Sequence, residues 1–261
     1  MPRPVRRAAR LTALFLGWVA QSLGASPTTA STHFMGEAIA DSGKRFSFSA
    51  GQCGQRIFVE WRDTEGQLAA REEVALTAEG WSRYRLERPT IHQKIIGSVV
   101  GRELTLDIER DGVFERKQVT LKAPLVAGPL LIRRLQAALP TLRAGETLEL
   151  DYLIADQAAV LRLRIQRERD TGGPLVGSMT EGAGMLRLRI YAASPWMRPF
   201  VPETWLTFDA EDELIAMRGR LLPLEGPASR PQPVAGVLNL HQLASSSLTA
   251  MQSSCNRPAL S

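Results

Sequence analysis

Leu161-Arg162-Leu163-Arg164-Ile165 and Leu186-Arg187-Leu188-Arg189-Ile190 are near copies, and their strict alternation decides the fold class. Side chains along a β-strand point to opposite faces in turn, so each run sets aliphatic residues on one face and arginines on the other. That is the pattern of a half-buried antiparallel strand. Pairing the copies with Arg162 opposite Arg189 and Arg164 opposite Arg187 gathers four guanidinium groups on one surface. Like charges across a ladder repel, so this surface needs carboxylates. Leu148-Glu149-Leu150-Asp151-Tyr152 supplies them. A tight connection at 155–158 sets Asp151 beside Arg162 and Glu149 beside Arg164. Two readings follow: a solvated charge ladder, or an anion-receptive face of Arg162, Arg164, Arg187 and Arg189. The second suits phosphate groups of lipid or lipopolysaccharide.

The same alternation spreads in both directions. It marks strands at 44–50, 56–62, 81–88, 102–110, 146–154, 159–168, 185–193, 203–209, 213–222 and 234–240. Turn chemistry separates them, as in Asp41-Ser42-Gly43, Asp63-Thr64-Glu65-Gly66, Asp111-Gly112 and Asp209-Ala210-Glu211-Asp212. One segment departs from this rhythm. Over 128–139, Leu131, Leu135, Ala138 and Leu139 recur at helical spacing after Gly128-Pro129, and Pro140 is the expected stop. The expected fold is therefore mainly β, a curved antiparallel sheet (a half-barrel) wrapped on one amphipathic helix at 128–139. The glycine-rich stretch 170–184 reads as a hairpin loop or a flap. Residues 223–233, with Pro223, Gly226, Pro227, Pro231 and Pro233, read as a poorly ordered loop.

The N-terminus sets the expected compartment. Arg3, Arg6, Arg7 and Arg10 precede the apolar run Leu11–Ala20 and then small residues, the plan of a secretory signal. Ten apolar residues fall well short of the ~20 that span a bilayer. Residues 1–30 are read as a signal peptide cleaved after Gly24 or Ala30, without a lipobox cysteine. That leaves a β-rich domain at 31–243, a serine-rich tail at 244–261 and a periplasmic address. It also rewrites the charge. The whole chain carries 32 basic and 27 acidic residues for a net of +5, but the acids begin at Glu37. Without the leader, 28 basic residues face 27 acidic ones, a net of +1. Near neutrality, and without an aromatic-basic platform, nucleic acid is not an expected partner. Cys53 and Cys255 form a candidate disulfide, allowed in an oxidising compartment and worth on the order of 4–5 kcal/mol for so long a loop. Two isolated cysteines and three scattered histidines lack metal-ligand spacing, and no cofactor is implied.

Chemistry-bearing motifs are otherwise missing: no G-x-S-x-G elbow, no H-E-x-x-H and no phosphate-cradling glycine loop. His33, His92 and His241 stand in no triad context, and Trp61, Trp81, Trp196 and Trp205 read as core or rim. The order of features has a family likeness. Gly36-Glu37-Ala38 leads a first strand. Val59-Glu60-Trp61-Arg62-Asp63 enters a turn that Ala70-Arg71-Glu72-Glu73-Val74 leaves, and the helix runs into Leu142-Arg143-Ala144-Gly145-Glu146. Over about 34–243 this resembles a group of uncharacterised proteobacterial exported β-rich proteins of unknown function. More loosely, the plan is similar to periplasmic half-barrel folds of the lipoprotein-carrier type. The expected function is a non-catalytic binding or carrier module for an amphiphilic or lipid-like ligand. The alternative is an envelope scaffold that binds another protein through a sheet edge, and a hydrolase is third.

Overall fold

The computed structural model describes residues 34–78, 80–168, 184–226 and 230–242. Residues 1–33, which hold the expected leader and His33, Glu79, most of the glycine-rich stretch, residues 227–229 and residues 243–261 with Cys255 lie outside them. Eight strands form a first meander: β1 Phe34–Ala40, β2 Arg45–Cys53, β3 Arg56–Asp63, β4 Leu68–Thr77, β5 Gly80–Arg88, β6 Gln93–Val100, β7 Glu103–Arg110 and β8 Val113–Thr120. The chain then crosses back through β9 Leu125–Val126 and the helix α1 Leu130–Arg143. A second meander follows: β10 Leu148–Ile154, β11 Ala159–Arg167, β12 Leu186–Ala192, β13 Thr204–Phe208, β14 Leu214–Glu225 and β15 Gln232–Gln242. β15 pairs with β1, so both meanders join one open, curved, 15-stranded sheet edged by β8 and β9. All described pairings are antiparallel except β9 with β10.

The expected architecture holds, with corrections. The helix is shifted from 128–139 to Leu130–Arg143 and runs through Pro140. Pro140 is exposed, and its carbonyl still accepts the Ala144 N–H at 3.2 Å, so the last turn closes. Its stripe is Leu135, Leu139 and Leu142, each at 0% exposure, packed into the concave face. Arg143 then clamps the helix end, donating to the carbonyls of Gly184 (2.8 Å) and Asp209 (2.7 Å) and to Asp212. The region 223–233 is mostly strand where described: Leu224 faces Pro233 and Glu225 faces Gln232. The register shifts between Arg220 and Leu224. Irregular pairing of this kind tolerates proline, which has no N–H to give a regular ladder.

The strands are not all half-buried. β4 keeps Arg71, Glu72 and Glu73 buried. Glu72 points into the concave core, while Arg71 and Glu73 face the convex side with Glu60. There Arg71 bonds Glu60 at 3.3 Å and Glu73 at 3.2 Å, Arg62 reaches Glu60, and Arg56 reaches Glu73. Buried charges require such pairing, because an isolated one would lose its hydration uncompensated.

Candidate functional site

The arginine-bearing surface is built on β10, β11 and β12. Asp151 stands opposite Arg162 and Glu149 opposite Arg164, as the sequence predicts. Arg162 Nε lies 2.8 Å from Asp151 Oδ1, and Arg164 Nη2 lies 2.6 Å from Glu149 Oε1. The β11–β12 register differs from the expected one. Arg164 faces Tyr191 and Gln166 faces Arg189, so Arg162 does not oppose Arg189, nor Arg164 oppose Arg187. The displacement is an even number of residues, so both faces keep their composition while the like-charge pairs disappear. The near-copy sequences suggested symmetry, and charge repulsion favours the offset. Arg189 instead forks onto Glu203, with Nε at 2.9 Å from Oε2. Hydrogen bonds donated to Asp151, Glu149 and Glu203 hold the guanidinium groups of Arg162, Arg164 and Arg189 above their ordinary range. Arg187 sits half-buried on the same face, opposite Thr207.

The ring of Tyr191 joins this surface to a feature the sequence reading missed. Arg189 stacks on that ring at 5.2 Å and Arg198 at 4.8 Å, while the hydroxyl donates to Gln166 at 2.9 Å. Arg198 belongs to the 3-10 turn Pro195–Phe200 between β12 and β13. The turn is held by Met197 N–H to Ser194 O and Val201 N–H to Met197 O, both 3.1 Å, and by Arg198 Nε to Ala192 O. It presents Trp196 at 86% exposure, Phe200 at 79% and Met197 at 40%. Two large aromatics held in water on a proline-braced turn are uncommon on a surface without a partner. Trp61 and Trp81 are core, as expected, and Trp205 is half-buried, but Trp196 is neither core nor rim. The signal was present in Pro195-Trp196-Met197-Arg198-Pro199-Phe200, since residues bracketed by prolines cannot join a central strand.

A second polar constellation lies inside. Glu72 accepts a 2.6 Å hydrogen bond from the Tyr84 hydroxyl, with both residues buried. Burial pushes the Glu72 carboxyl up to about 7, opposed by the Tyr84 bond and the Arg88 charge. Burial likewise raises Tyr84 and Tyr152 above the ordinary tyrosine range, and the Glu72 charge adds to both. Arg88 bonds Gln93 Oε1 at 2.7 Å, Asp156 Oδ1 at 2.5 Å and Leu222 O at 2.9 Å, and Arg220 reaches the other Asp156 oxygen at 3.1 Å. The group ties β5 and β6 to the β10–β11 turn and β14. It is a closed brace, not an open cleft. A cleft of about 370 Å³ does lie on the convex face of β5 and β6, among Arg83, Arg85, Lys94, Ile96 and Ser98.

The remaining sequence candidates are dispersed. His92 caps the 3-10 turn Pro89–Ile91 in a left-handed conformation, φ 45°. His241 lies exposed on β15 opposite Met35. Cys53 ends β2, and its candidate partner Cys255 lies outside the described residues. No helix among the described residues is long and apolar enough to cross a membrane. No family model and no curated protein matches the chain. Among solved structures it is similar to a beta-barrel-like protein of a domain of unknown function, DUF1849, from Brucella abortus. The likeness has 8% identity and a TM-score of 0.46, over 82% of this chain and 98% of that one.

Proposed function

We propose that this chain is an exported, non-catalytic binding protein of the periplasm that engages anionic, lipid-like amphiphiles at its surface. The turn bearing Trp196 and Phe200 carries the reading. Aromatic side chains favour the boundary between headgroups and acyl chains, and transferring one from water is worth on the order of 2 kcal/mol. Arg162, Arg164, Arg187, Arg189 and Arg198 surround the β11–β12 face together with four carboxylates, Glu149, Asp151, Glu168 and Glu203. Forked guanidinium groups clustered beside exposed aromatics suit phosphate headgroups, at roughly 1 kcal/mol per basic residue near an anionic surface. An amphiphile carried in the concavity is less well supported, because Leu135, Leu139 and Leu142 of α1 already fill it.

Co-sedimentation of the leaderless protein with vesicles tests this. Binding is expected to vesicles containing phosphatidylglycerol, weakening with salt and accompanied by a blue shift of Trp196 emission. Trp196→Ser with Phe200→Ser should abolish it, and Arg162→Gln with Arg189→Gln should weaken it. Equal binding of the aromatic variant, or none by the parent protein, overturns the proposal.

The export reading also carries the Cys53–Cys255 bridge, which would tether the C-terminal segment to β2. Protein recovered from an oxidising compartment should be lighter by two hydrogens than its reduced form. Two thiols that alkylate freely without reductant would refute the bridge.

A second reading rests on a separate observation. Among the described residues β8 is an uncovered sheet edge, with Val113 at 70% and Phe114 at 61% exposure, so it can accept an added strand from an envelope protein.

A further inference from the structure

β8 reads Val113-Phe114-Glu115-Arg116-Lys117-Gln118-Val119-Thr120 and, among the described residues, pairs on one side only, with β7. Apart from Lys117 and Val119, which are half-buried, every residue in it is exposed. A strand in this position offers a row of backbone donors and acceptors to whatever strand fits. Its faces are fixed by β7. Glu115, Lys117 and Val119 stand opposite Ile108, Leu106 and Leu104, so with Val113 they lie on the concave face. Phe114, Arg116 and Gln118 lie on the convex face, opposite Glu109, Asp107 and Thr105.

The sequence of this edge is complementary to itself. Residues facing each other across an antiparallel ladder must both turn their backbone groups toward the partner or both turn them away. When a strand pairs with its own copy, the two-fold axis must therefore pass through a residue, not between two. An axis through Glu115 sets carboxylate against carboxylate, and one through Lys117 sets ammonium against ammonium. An axis through Arg116 is different. It places Val113 opposite Val119 and Glu115 opposite Lys117, each pair occurring twice, and Phe114 opposite Gln118. The two central arginines meet on the convex face, but each is already forked by its own Asp107, with Nε to Oδ1 at 2.6 Å and Nη2 to Oδ2 at 2.9 Å. Glu115 and Lys117 lie 3.2 Å apart along the strand and are 57% and 42% exposed, free to exchange partners across the axis.

We propose that β8 is a homotypic docking edge, where a second copy of this chain adds its own β8 antiparallel in the register centred on Arg116. The sheet then continues from one protomer into the next and the β8 edges of both are capped. This rests on β8 being a contact edge and names its occupant. One strand pair buries less surface than a standard stable interface, so the dimer dissociates on dilution.

Light scattering across a concentration series, coupled to gel filtration, reads the outcome. The parent protein should pass from monomer to dimer, and Glu115→Lys and Lys117→Glu should each raise the dissociation constant at least tenfold. An equimolar mixture of those two variants should dimerise again, because each mispaired charge then meets its opposite. A parent protein that stays monomeric, single variants that dimerise like the parent, or a mixture that fails to recover each overturn the proposal. A photo-crosslinker at Phe114 separates this from failure of the edge itself. Adducts only to a different envelope protein retain β8 as a contact edge and refute the second copy, whereas absence of any adduct refutes both.

Discussion

Glu72 shows how a single side chain ties stability to pH. Its carboxyl titrates at about 7 in the folded protein, against an ordinary value of 4.5, because burial disfavours the charged form. The folded state therefore holds a proton that the unfolded chain releases. The resulting stabilisation is complete below pH 4.5 and is lost as pH rises through 7. Its full size is roughly 3 kcal/mol at 1.36 kcal/mol per unit. Glu72→Gln keeps an acceptor for the Tyr84 hydroxyl and removes the proton. Urea unfolding at pH 4.5 and 7.5 should show the parent losing most of that difference and the variant little of it. Equal losses in both would place the dependence elsewhere. The neighbouring backbone is fitted to this carboxylate: at Gly128, φ 47°, an added Cβ would lie 2.4 Å from Glu72 Cδ. None of this was legible in Ala70-Arg71-Glu72-Glu73-Val74. Periodicity sends charged residues to solvent, and the partners Tyr84, Arg88 and Gly128 are brought to Glu72 only by the folded, curved sheet.

At the scale of elements, legibility followed contrast. Strands that alternate apolar with polar residues, such as β3, β7, β11 and β12, were read close to their observed limits. β4 and β8 were not, because β4 carries charge on both buried faces and β8 is exposed on both. The β10–β11 pairing was readable from its short connection and matching charges. The β11–β12 pairing was not, since the intervening segment leaves the register open and the near-copies favoured a symmetric alignment. The limits of α1 give a direct check. A helix ending at Pro140 leaves Leu142 outside the packed stripe, whereas here Leu142 is as buried as Leu139. Leu139→Ala and Leu142→Ala should each cost about 2–5 kcal/mol in chemical denaturation, the usual range for emptying a buried leucine site. A negligible cost at Leu142 alone would restore the shorter helix.

The described domain is two meanders joined in one open sheet over a shared apolar core, and specific long-range links reinforce that core. One is the β1–β15 seam, in register from Phe34 opposite Gln242 to Ala40 opposite Gly236. Another is the interior brace, where Asp156 of the second meander receives Arg88 of the first and Arg220 of its own. Arg88 is only 3% exposed, so removing Asp156 strands a buried charge that Gln93 and the Leu222 carbonyl can only partly satisfy. Breaking a buried pair from one side typically costs about 3–5 kcal/mol. Asp156→Ala should therefore destabilise the protein by that order. Its effect should also be distributed: amide exchange should accelerate in β5 and β6 as well as in β10, β11 and β14, because the brace is shared by both meanders. Arg88→Met, which removes the stranded charge, should recover part of the loss when combined with Asp156→Ala. Faster exchange confined to residues 155–158, with no recovery in the double variant, would show that the meanders hold together through the seam and apolar core alone.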